Sequence, residues 1–473
     1  MTTCHLGLDI GSTYIKALAV AEDGASLCTQ RRPTPWRPLP HGCTEMDAAD
    51  LARTVTDLLA GTVDALGAGV RVASVGISGM AESGVLLDAD DNVVRPIAAW
   101  FDPRGGTEME ALAADLRETF PGRTGLPVSA LATVAKLLDL RRTGLSLDGL
   151  TWLNVPEYVA RLLGGDRRGE VSLVARTGLL DQDTAAPWPA IFAALDSTPD
   201  LLPPLASAGS SWGTASGDAV PRSLAGAALT VAGHDHLVAS VAAGALSTAD
   251  LYDSIGTAEA LVRVLDDPLD VGARDRLARQ GVNVVRHMLP GRSTMLAGTR
   301  GGLVLRRVLS LVGVHDAAGR ARLDAEVMAL PDRGGPAAAS IRVLGAWNHE
   351  SALAVHTDAD ELSPALLFAA ALAHSTDVLT EVVARMEAEV PPARRTVVAG
   401  GWAGMESVRR ARRLALPGVT FSDRQEDTAF GAAMVAAFAV SGSQDLTDFA
   451  TRFVHDRSEL VPGITQPTRG VRS

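Results

Sequence analysis

A short pattern occurs twice in the chain, once near the N-terminus and once just past the middle. The two copies read LGLDIGSTYIKALAV from Leu6 to Val20 and LYDSIGTAEALVRVL from Leu251 to Leu265. In each copy an apolar run stops at a turn that contains Gly and Thr and then resumes, which predicts a β-hairpin. Such a turn exposes backbone N–H groups, and phosphate is the usual ligand of such a nest. The repeat therefore predicts a duplicated α/β fold in which two phosphate loops face each other.

The pattern around each hairpin predicts the rest of each half. In the first half, strands are predicted at residues 6–10, 15–21, 26–31 and 70–77, with a helix that begins after Asp47. This order is that of a ribonuclease-H-like unit. The second half adds a long helix from Ser363 with Pro364 in its first turn, a strand at 396–401 and an Ala-rich helix at 427–441. Between the halves, the small and polar segment GALSTAD at 244–250 predicts a hinge.

Composition excludes several classes of protein. With 473 residues, of which 47% are hydrophobic, the chain can form two or three domains with full cores. A net charge of −12 argues against a broad nucleic-acid surface, because such surfaces need clustered Lys and Arg. The cysteines at positions 4, 28 and 43 lack metal-ligand spacing and are too few for a disulfide framework. No secretory leader is evident, and no apolar stretch approaches the roughly 20 residues of a membrane span, so we expect a cytoplasmic protein without a membrane partner.

The first turn carries polar side chains suited to phosphate. Asp9 ends the predicted strand, Gly11 permits the tight turn, and Ser12 and Thr13 offer hydroxyls beside free N–H groups. Lys16 follows the turn closely. Because the chain uses Lys only at positions 16 and 136, a lysine here indicates a specific need for a compact ammonium group. We assign these five residues to phosphate binding. An ordinary polar hairpin turn is the alternative when this segment is taken alone.

Glycines mark two more candidate loops. Ser254, Gly256 and Thr257 form the second nest. Gly400 and Gly401 follow a predicted strand, where they would let a base or ribose approach the backbone. Plain turns are the alternative for both. Gly431 lies inside the last predicted helix, which indicates close packing or ligand approach at that position.

Asp235, in the segment VAGHDH, is the candidate for the chemistry. An alcohol loses its proton as it attacks a γ-phosphoryl group, and a carboxylate within hydrogen-bond reach can accept that proton. A capping or ion-paired Asp is the alternative. His234 and His236 flank it, and such a pair can also bind a metal ion at the end of a barrel strand. No other histidine has ligand spacing and no eightfold β/α repeat is apparent, which favours positioning or packing roles for both histidines.

Taken together, the motifs resemble those of one family. The segments LDIGSTYIKA, GISGMAESGVLLD, AAWFDPRG, GHDH with a following AAG, DSIGTAEA, and AGGWAG with EDTAFGAA resemble the FGGY carbohydrate kinases of the sugar kinase, Hsp70 and actin superfamily. The match runs over residues 6–437 in family order. It implies two ribonuclease-H-like (actin-like ATPase) domains, at residues 1–246 and 247–441, with ATP and sugar in the cleft between them. We expect residues 442–473 to form a peripheral extension.

The resemblance also implies roles for individual residues. ATP and Mg²⁺ are the implied cofactors, with Mg²⁺ near Asp9 and Asp235. The remaining roles are a first phosphate loop with Asp9 and Thr13, a second with Gly256 and Thr257, an adenosine loop with Gly400 and Gly401, and Asp235 as the general base.

The sugar-facing segment departs from the commonest family pattern. Xylulose kinases usually have SGQMHG where this chain has SGMAESG, so Met80, Ala81 and Glu82 stand at the expected substrate positions. A Glu there is similar to glycerol kinases, although their preceding Arg is Ala81 here. Asp102 and Arg104, in WFDPR, match a segment near the sugar. The alternative for Glu82 is a solvated loop carboxylate.

The resemblance favours a xylulokinase-like enzyme that phosphorylates a ketose such as a pentulose. A polyol kinase of the same family is the nearby alternative. An actin-like or Hsp70-like ATPase, or a catalytically silent sugar sensor on the same fold, stays open because fold alone does not fix activity. A small-molecule sugar is the expected partner, nucleic acid is not expected, and homodimer formation is left open.

Overall fold

The computed structural model describes residues 2–350, 352–358, 362–424 and 426–455. The strands are β1 Thr2–Ile10, β2 Tyr14–Ala21, β3 Ser26–Pro33, β4 Arg37–Pro38, β5 Thr44–Met46, β6 Val70–Gly79, β7 Gly84–Leu87, β8 Ile97–Ala98, β9 Thr151–Asn154, β10 Gly169–Glu170, β11 Leu180–Asp181, β12 Ala186–Pro187, β13 Leu205–Ala206, β14 Ala228–His234, β15 Asp250–Ile255, β16 Glu259–Leu265, β17 Val282–Arg286, β18 Ser293–Thr299, β19 Ile341–Leu344, β20 Ala354–Thr357, β21 Arg395–Ala399 and β22 Val419–Phe421.

A short 3₁₀ turn, Gly401–Gly404, begins at one of the glycines of the predicted adenosine loop. The α-helices are α1 Ala48–Leu66, α2 Gly106–Glu110, α3 Ala114–Thr124, α4 Thr133–Arg142, α5 Val155–Leu162, α6 Val171–Val174, α7 Pro189–Ala194, α8 Asp235–Ala242, α9 Val271–Arg279, α10 Gly301–Leu311, α11 Ala317–Ala329, α12 Gly335–Ala339, α13 Pro364–Glu387, α14 Glu406–Ala415, α15 Asp427–Ser441 and α16 Leu446–His455.

The first large sheet has the order β14-β6-β1-β2-β3. β1, β2 and β3 are antiparallel neighbours, whereas β6 runs parallel to β1 and β14 runs parallel to β6. Since side chains alternate along a strand, Leu6, Leu8 and Ile10 share one face of β1, and they form a buried cluster with Leu51 and Val55 of α1. The predicted order of three strands, a helix and a further strand is confirmed, with the short strands β4 and β5 added before the helix.

The second large sheet repeats this plan. Its order is β17-β18-β16-β15-β21-β22, with β15 and β16 forming the hairpin and β21 parallel to β15. The run β18-β16-β15-β21-β22 matches β3-β2-β1-β6-β14 strand for strand, and β17 is an added edge strand. The duplication predicted from the two hairpin motifs is therefore confirmed.

Two helices are exchanged between the sheets. Each one follows the last parallel strand of one sheet and packs on the other sheet. α15 follows β22 but lies on the first sheet, against β1 and β6. The approach is so close that a methyl group at Gly7 would collide with the carbonyl oxygen of Ala429, and one at Gly76 would collide with that of Ala432. Glycine is therefore required at both strand positions.

The partner helix α8 follows β14 and packs against β16 of the second sheet. Its Leu237 and Val241 are buried in one cluster with Tyr252 and Val262. α8 and α15 also touch each other, since a methyl group at Gly431 would lie 2.7 Å from the carbonyl oxygen of Val238. Of the two explanations predicted for Gly431, close packing is the right one.

Helix α13 differs from the sequence expectation. Among the described residues, it is long and apolar enough by length and composition to cross a membrane, which no stretch of the sequence was expected to be. However, 67% of its most apolar window is buried within the protein. α13 is thus a core helix, and its predicted start is confirmed because Ser363 Oγ accepts a hydrogen bond from Leu366 N.

The segment at 244–250 joins α8 to β15 and is held by hydrogen bonds. Asp250 Oδ2 accepts from Leu246 N and Ser247 N at 3.1 and 3.0 Å, and Arg395 donates to Asp250 Oδ1 at 2.8 Å and to Gly244 O at 2.6 Å. These contacts tie both ends of the segment to β21. The role of the segment as a hinge stays a prediction.

The first part of the expected C-terminal extension is the helix α16. Its Leu446 and Ala450 are buried in the cluster that also contains residues of α8, and Phe453 packs against the same cluster. Residues 456–473 of the expected extension lie outside the described residues.

The collision at Gly76 generates a stability prediction. We expect Gly76→Ala to destabilise the protein by about 2 kcal/mol, because the sheet and α15 must separate to admit the methyl group. Gly69→Ala is the control, since a methyl group there meets nothing within 4 Å. Thermal unfolding followed by circular dichroism should show a lower midpoint for Gly76→Ala and an unchanged midpoint for Gly69→Ala; equal midpoints would contradict the packing argument.

Candidate active site

Asp9 lies in the space between the two sheets. It shares a face of β1 with Gly7, opposite the apolar face, and pairs in register with Lys16 of β2. Lys16 Nζ is 3.8 Å from Asp9 Oδ2 and 2.6 Å from Glu426 Oε2, so it links the hairpin to the start of α15. Burial raises the pKa of Asp9 to about 7 against the attraction of Lys16, and the negative charge of Asp235 adds to the rise. Asp9 Oδ1 is buried and has no partner in the described part of the chain.

Side chains from other parts of the chain donate hydrogen bonds to the first phosphate loop, residues 11–13. Thr34 Oγ1 donates to Gly11 O at 2.6 Å, Trp36 Nε1 donates to Ser12 O at 2.8 Å, and the indole of Trp100 donates to Ser12 Oγ at 2.8 Å. Thr13 is exposed. The Ser12 hydroxyl therefore serves the loop as an acceptor and keeps its proton and one lone pair for a ligand. Thr13 is accessible.

The second phosphate loop, residues 256–258, adjoins the glycine pair Gly400 and Gly401. Gly256 N donates to Ala258 O at 2.9 Å, which closes the turn, and Thr257 is exposed. Gly400 has a φ of 92° and sits so close to the backbone of Ile255 that a side chain has no room. A methyl group at Gly401, in contrast, would meet nothing within 4 Å. The structure thus brings the predicted second loop and glycine pair together, with open space beside Gly401.

A buried arginine supports the strands on either side of the second phosphate loop. Nothing in the sequence gave a reason to select this residue. Arg412 of α14 donates to Asp253 Oδ2 at 2.8 Å, to Thr376 Oγ1 at 3.0 Å and to Glu259 Oε1. All three charged side chains are fully buried. Because Asp253 and Glu259 lie on the two strands that flank the loop, Arg412 fixes the base of the hairpin.

Asp235 is the first residue of α8 and its side chain is 20% exposed. Oδ1 accepts a hydrogen bond from His236 N at 2.7 Å and lies 3.1 Å from His234 Nε2. Burial alone would raise the pKa of Asp235, but electrostatic interactions with the imidazoles of His236 and His234, the hydrogen bond from His236 N and the charge of Arg176 hold that pKa below its ordinary value. The carboxylate is therefore ionised and accessible, as a general base must be.

The metal-ligand alternative for the two histidines gains nothing from the geometry. Across the described residues, no group of three or more His, Cys, Asp or Glu side chains is arranged to hold a metal ion.

Glu82 is buried rather than solvated, and it is paired. Arg176 Nε donates to Glu82 Oε1 at 2.6 Å, and Arg176 Nη2 contacts the same oxygen. Glu82 has a φ of 64°, which L residues seldom adopt, and Thr133 Oγ1 donates to its carbonyl at 3.2 Å. Arg176 Nη1 is buried without a partner in the described part of the chain. The alternative of a solvated loop carboxylate is thus wrong, and Arg176 joins the site as a residue that sequence reasoning missed.

The other predicted substrate residues have different surroundings. Met80 and Ala81 are buried in the core of the first sheet. Asp102 is fully buried, and its oxygens accept four hydrogen bonds, from Thr44 N, Arg104 N, Arg104 Nε and Arg104 Nη2. The expectation that Asp102 binds a sugar hydroxyl directly is corrected, because its acceptor sites are occupied. Asp102 instead fixes Arg104, which also reaches Glu45 Oε2 at 3.3 Å.

Lys136, the second lysine of the chain, lies buried beside this cluster. It donates to Trp100 O at 3.1 Å and to Ala130 O. Burial lowers the pKa of Lys136 to about 8, although the charges of Glu82 and Asp102 oppose the shift. Lys136 thereby supports the segment that carries Trp100, whose indole holds the first phosphate loop.

Comparison with curated proteins finds two kinases with partial matches. A gluconokinase from Bacillus subtilis (strain 168) is 23% identical over 188 residues, which are 38% of this chain and 36% of that protein. A glycerol kinase from Gluconobacter oxydans (strain 621H) is 28% identical over 141 residues, 29% of this chain and 28% of that protein. The chain therefore aligns with about a third of the length of these relatives.

Solved structures match over nearly the whole chain. Gluconate kinase from Lactobacillus acidophilus has a TM-score of 0.82 at 15% identity, covering 95% of this chain and 92% of that one. Xylulose kinase from Rhodospirillum rubrum has a TM-score of 0.81 at 21% identity, with coverage of 95% and 92%. Plasmodium falciparum glycerol kinase with ADP has a TM-score of 0.83 at 14% identity, with coverage of 96% and 92%. At these identities the likeness shows the shared fold.

The profile of the FGGY family of carbohydrate kinases, N-terminal domain, matches residues 4–242, which is just over half of the 473 residues. This stretch contains the first phosphate loop, Glu82, Arg176 and Asp235. The chain belongs to the FGGY family of carbohydrate kinases.

Proposed function

We propose that the protein transfers the γ-phosphoryl group of ATP to a hydroxyl of a small carbohydrate, a ketose such as a pentulose, with Asp235 as the general base. The observation that carries the proposal is the position of the Asp235 carboxylate. It is ionised and accessible, the charge of Asp9 acts on it from the first phosphate loop, and the charge of Arg176 acts on it from the Glu82 pair. A base between a phosphate-binding loop and polar side chains that can hold a sugar is what alcohol phosphorylation requires.

In the proposed reaction, separate groups of residues take the proton, bind the phosphate and bind the sugar. The acceptor hydroxyl gives its proton to Asp235 as its oxygen attacks phosphorus. Backbone N–H groups of the two phosphate loops donate to the phosphate oxygens, where charge develops. Glu82 accepts from a sugar hydroxyl, and the unpartnered Nη1 of Arg176 donates to a sugar oxygen. Closure across residues 244–250 would exclude water, the competing acceptor.

The acidic residues fit a divalent cation. Asp9 Oδ1 has no partner in the described part of the chain, and the pKa of Asp9 is raised by burial and by neighbouring negative charge. Mg²⁺ prefers carboxylate oxygens together with substrate phosphates. Asp9 and Asp235 would hold Mg²⁺, which when bound neutralises charge on the transferred phosphate.

A polyol kinase is the second candidate, and Glu82 is the observation that favours it, because glycerol kinases resemble this chain at that position. The curated relatives add a sugar acid to the substrates worth testing. An ATPase or sensor without transfer to a sugar would not need Asp235 beside the Glu82–Arg176 pair. A cytoplasmic location and the domain limits 1–246 and 247–441 belong to the same proposal.

The role of Asp235 is tested by Asp235→Asn. We expect turnover to fall by roughly 100-fold or more with the KM values for ATP and sugar within about 3-fold of the parent values, because the amide keeps the shape but cannot take the proton. Asp427→Asn is the matched control, since Asp427 begins α15 as Asp235 begins α8. Near-normal turnover by Asp235→Asn in a coupled ADP assay would remove Asp235 from the mechanism.

The role of Glu82 is tested by Glu82→Gln together with a substrate panel. ADP release is measured with pentuloses, hexuloses, gluconate, glycerol and erythritol. We expect the parent protein to prefer a ketose, and Glu82→Gln to lower kcat/KM for that sugar by roughly 10-fold or more, since a hydrogen-bonded site discriminates strongly once an acceptor is lost. The KM for ATP should stay within about 3-fold. An unchanged panel would exclude Glu82 from sugar recognition.

The nucleotide site is tested at the glycine pair. Gly401→Ala should leave the protein folded, because the added methyl group meets nothing within 4 Å, yet raise the KM for ATP by roughly 10-fold by occupying space beside the backbone. Gly404→Ala is the control, since its methyl group also meets nothing within 4 Å in the same turn. Equal ATP affinities for the two variants would argue that nucleotide does not approach Gly401.

A further inference from the structure

A cavity of about 230 Å³ lies between the helices α11, α13 and α14 of the second half. Its walls are mostly apolar, with Val327 from α11, Leu372 and Ala373 from α13, and Ala411 and Leu414 from α14. Because protein interiors are close-packed, a space of this size is unusual, and it exceeds the roughly 150 Å³ engineered cavity that binds benzene. The cavity is therefore large enough for a small organic molecule.

One buried hydroxyl on the wall lacks a hydrogen-bond partner. Ser407 lines the cavity and is 2% exposed, and its Oγ finds no partner among the described residues. Ser407 is the second residue of α14, so no earlier turn of that helix offers a carbonyl to its hydroxyl. Its backbone N–H is satisfied, since Asp324 Oδ1 accepts from it at 2.9 Å. A buried hydroxyl without a partner is costly, which points to a ligand that carries a hydrogen-bonding group.

The charged side chains that line the cavity already have partners. Arg333 donates to Asp377 at 2.7 and 2.8 Å, and both side chains are more than half exposed, which places them at the opening. Arg410 donates to three carbonyl oxygens at the end of α11, at 2.9 to 3.2 Å. A charged ligand would therefore lose its hydration without gaining an opposite charge in return. The lining favours an uncharged molecule.

The cavity shares a residue with the support of the second phosphate loop. Thr376 of α13 lines the cavity, and its Oγ1 accepts from Arg412 at 3.0 Å. Arg412 also donates to Asp253 and Glu259, on the two strands that flank the loop. In addition α14, which forms another wall, begins just after the turn Gly401–Gly404. A molecule that fills the cavity would hold α13 and α14 in the arrangement in which Arg412 supports the loop.

We propose that this cavity binds an uncharged, largely apolar molecule whose hydroxyl group exchanges a hydrogen bond with Ser407 Oγ, and that the bound molecule strengthens nucleotide binding at the second phosphate loop. The binding site itself does not depend on the kinase reaction, whereas its effect on nucleotide rests on the proposed function. Because coupling between two sites is reciprocal, nucleotide must strengthen binding in the cavity by the same factor.

The chemistry of the site is tested with 2-naphthol, which is bicyclic, uncharged at neutral pH and carries one hydroxyl. Followed by its fluorescence, it should bind the full-length protein with a Kd below roughly 1 mM. We expect 2-naphthoate, which has a carboxylate on the same ring system, to bind at least roughly 10-fold more weakly because the lining offers it no unpaired cation. Ser407→Ala should weaken 2-naphthol binding roughly 5-fold, as for the loss of one hydrogen bond.

The location of the site is tested by filling the cavity. Ala373→Phe should weaken 2-naphthol binding by at least roughly 10-fold, because the ring occupies the space of the ligand. Ala384→Phe is the matched control, since Ala384 is exposed on the same helix and does not line the cavity. Circular dichroism checks that both variants fold. Ala411→Phe fills the cavity from the opposite wall and gives the same test should Ala373→Phe not fold.

The coupling is measured by calorimetry with ADP and needs no turnover. Saturating 2-naphthol should lower the Kd of ADP by roughly 5-fold, and saturating ADP should lower the Kd of 2-naphthol by the same factor. In Ala373→Phe the addition of 2-naphthol should leave the Kd of ADP unchanged.

Each contrary outcome identifies what fails. An absence of 2-naphthol binding to the parent protein, or equal affinities in the filled variant and Ala384→Phe, overturns the site. Tighter binding of 2-naphthoate than of 2-naphthol overturns the assignment of an uncharged ligand, and an unchanged affinity in Ser407→Ala excludes Ser407. If ADP binds equally well with and without 2-naphthol, the effect on nucleotide is wrong. If ADP does not bind the parent protein at all, the proposed function fails together with the coupling, and the cavity is judged by the 2-naphthol measurements alone.

Discussion

The exchange of helices α8 and α15 between the two sheets is the constraint on which the rest of the molecule depends. Each helix leaves the last parallel strand of one sheet and covers the other, and they touch where Gly431 permits backbone contact. Gly7 and Gly76 let α15 lie directly on the first sheet. Because β14 and α8 meet at Asp235, this packing also places the carboxylate at the junction of the halves. Close packing of small residues and the proposed catalytic base therefore share one interface.

Negative charge accumulates at that junction beyond what the local cations balance. The negative charges of Asp235 and Glu426 both act unfavourably on Asp9, and Lys16 compensates only in part. Burying such a group is costly unless a partner compensates it. Under the proposed function, this charge would favour a phosphate group that arrives with a cation over phosphate alone. At the residues proposed to bind the sugar the charges are paired, as Glu82 with Arg176 and Asp102 with Arg104. Under the proposed function, this pairing suits an uncharged substrate rich in hydroxyls.

The sequence predicted the elements and the loops well because those depend on local patterns. Apolar alternation around Gly-containing turns located both hairpins, and a carboxylate after a buried strand pointed to Asp235. Arg176 and Arg412 escaped notice because their partners are distant in sequence, 94 positions away for Glu82 and 153 for Glu259. Asp102 was selected from a motif, but only coordinates reveal that its oxygens already accept hydrogen bonds from Thr44 and Arg104. The apolar helix α13 could be identified as a core helix only from its burial in the structure.

The exchanged helices also bear on how the chain folds as it is synthesised. The face of β1 and β6 that carries Gly7 and Gly76 leaves the ribosome long before α15, the helix that covers it. Domains of most proteins fold in order from the N-terminus as they emerge. Here the first sheet stays uncovered on one side until residue 441 has been made. A protein cut between its halves would therefore expose two incomplete cores, and we expect neither fragment to fold without the other.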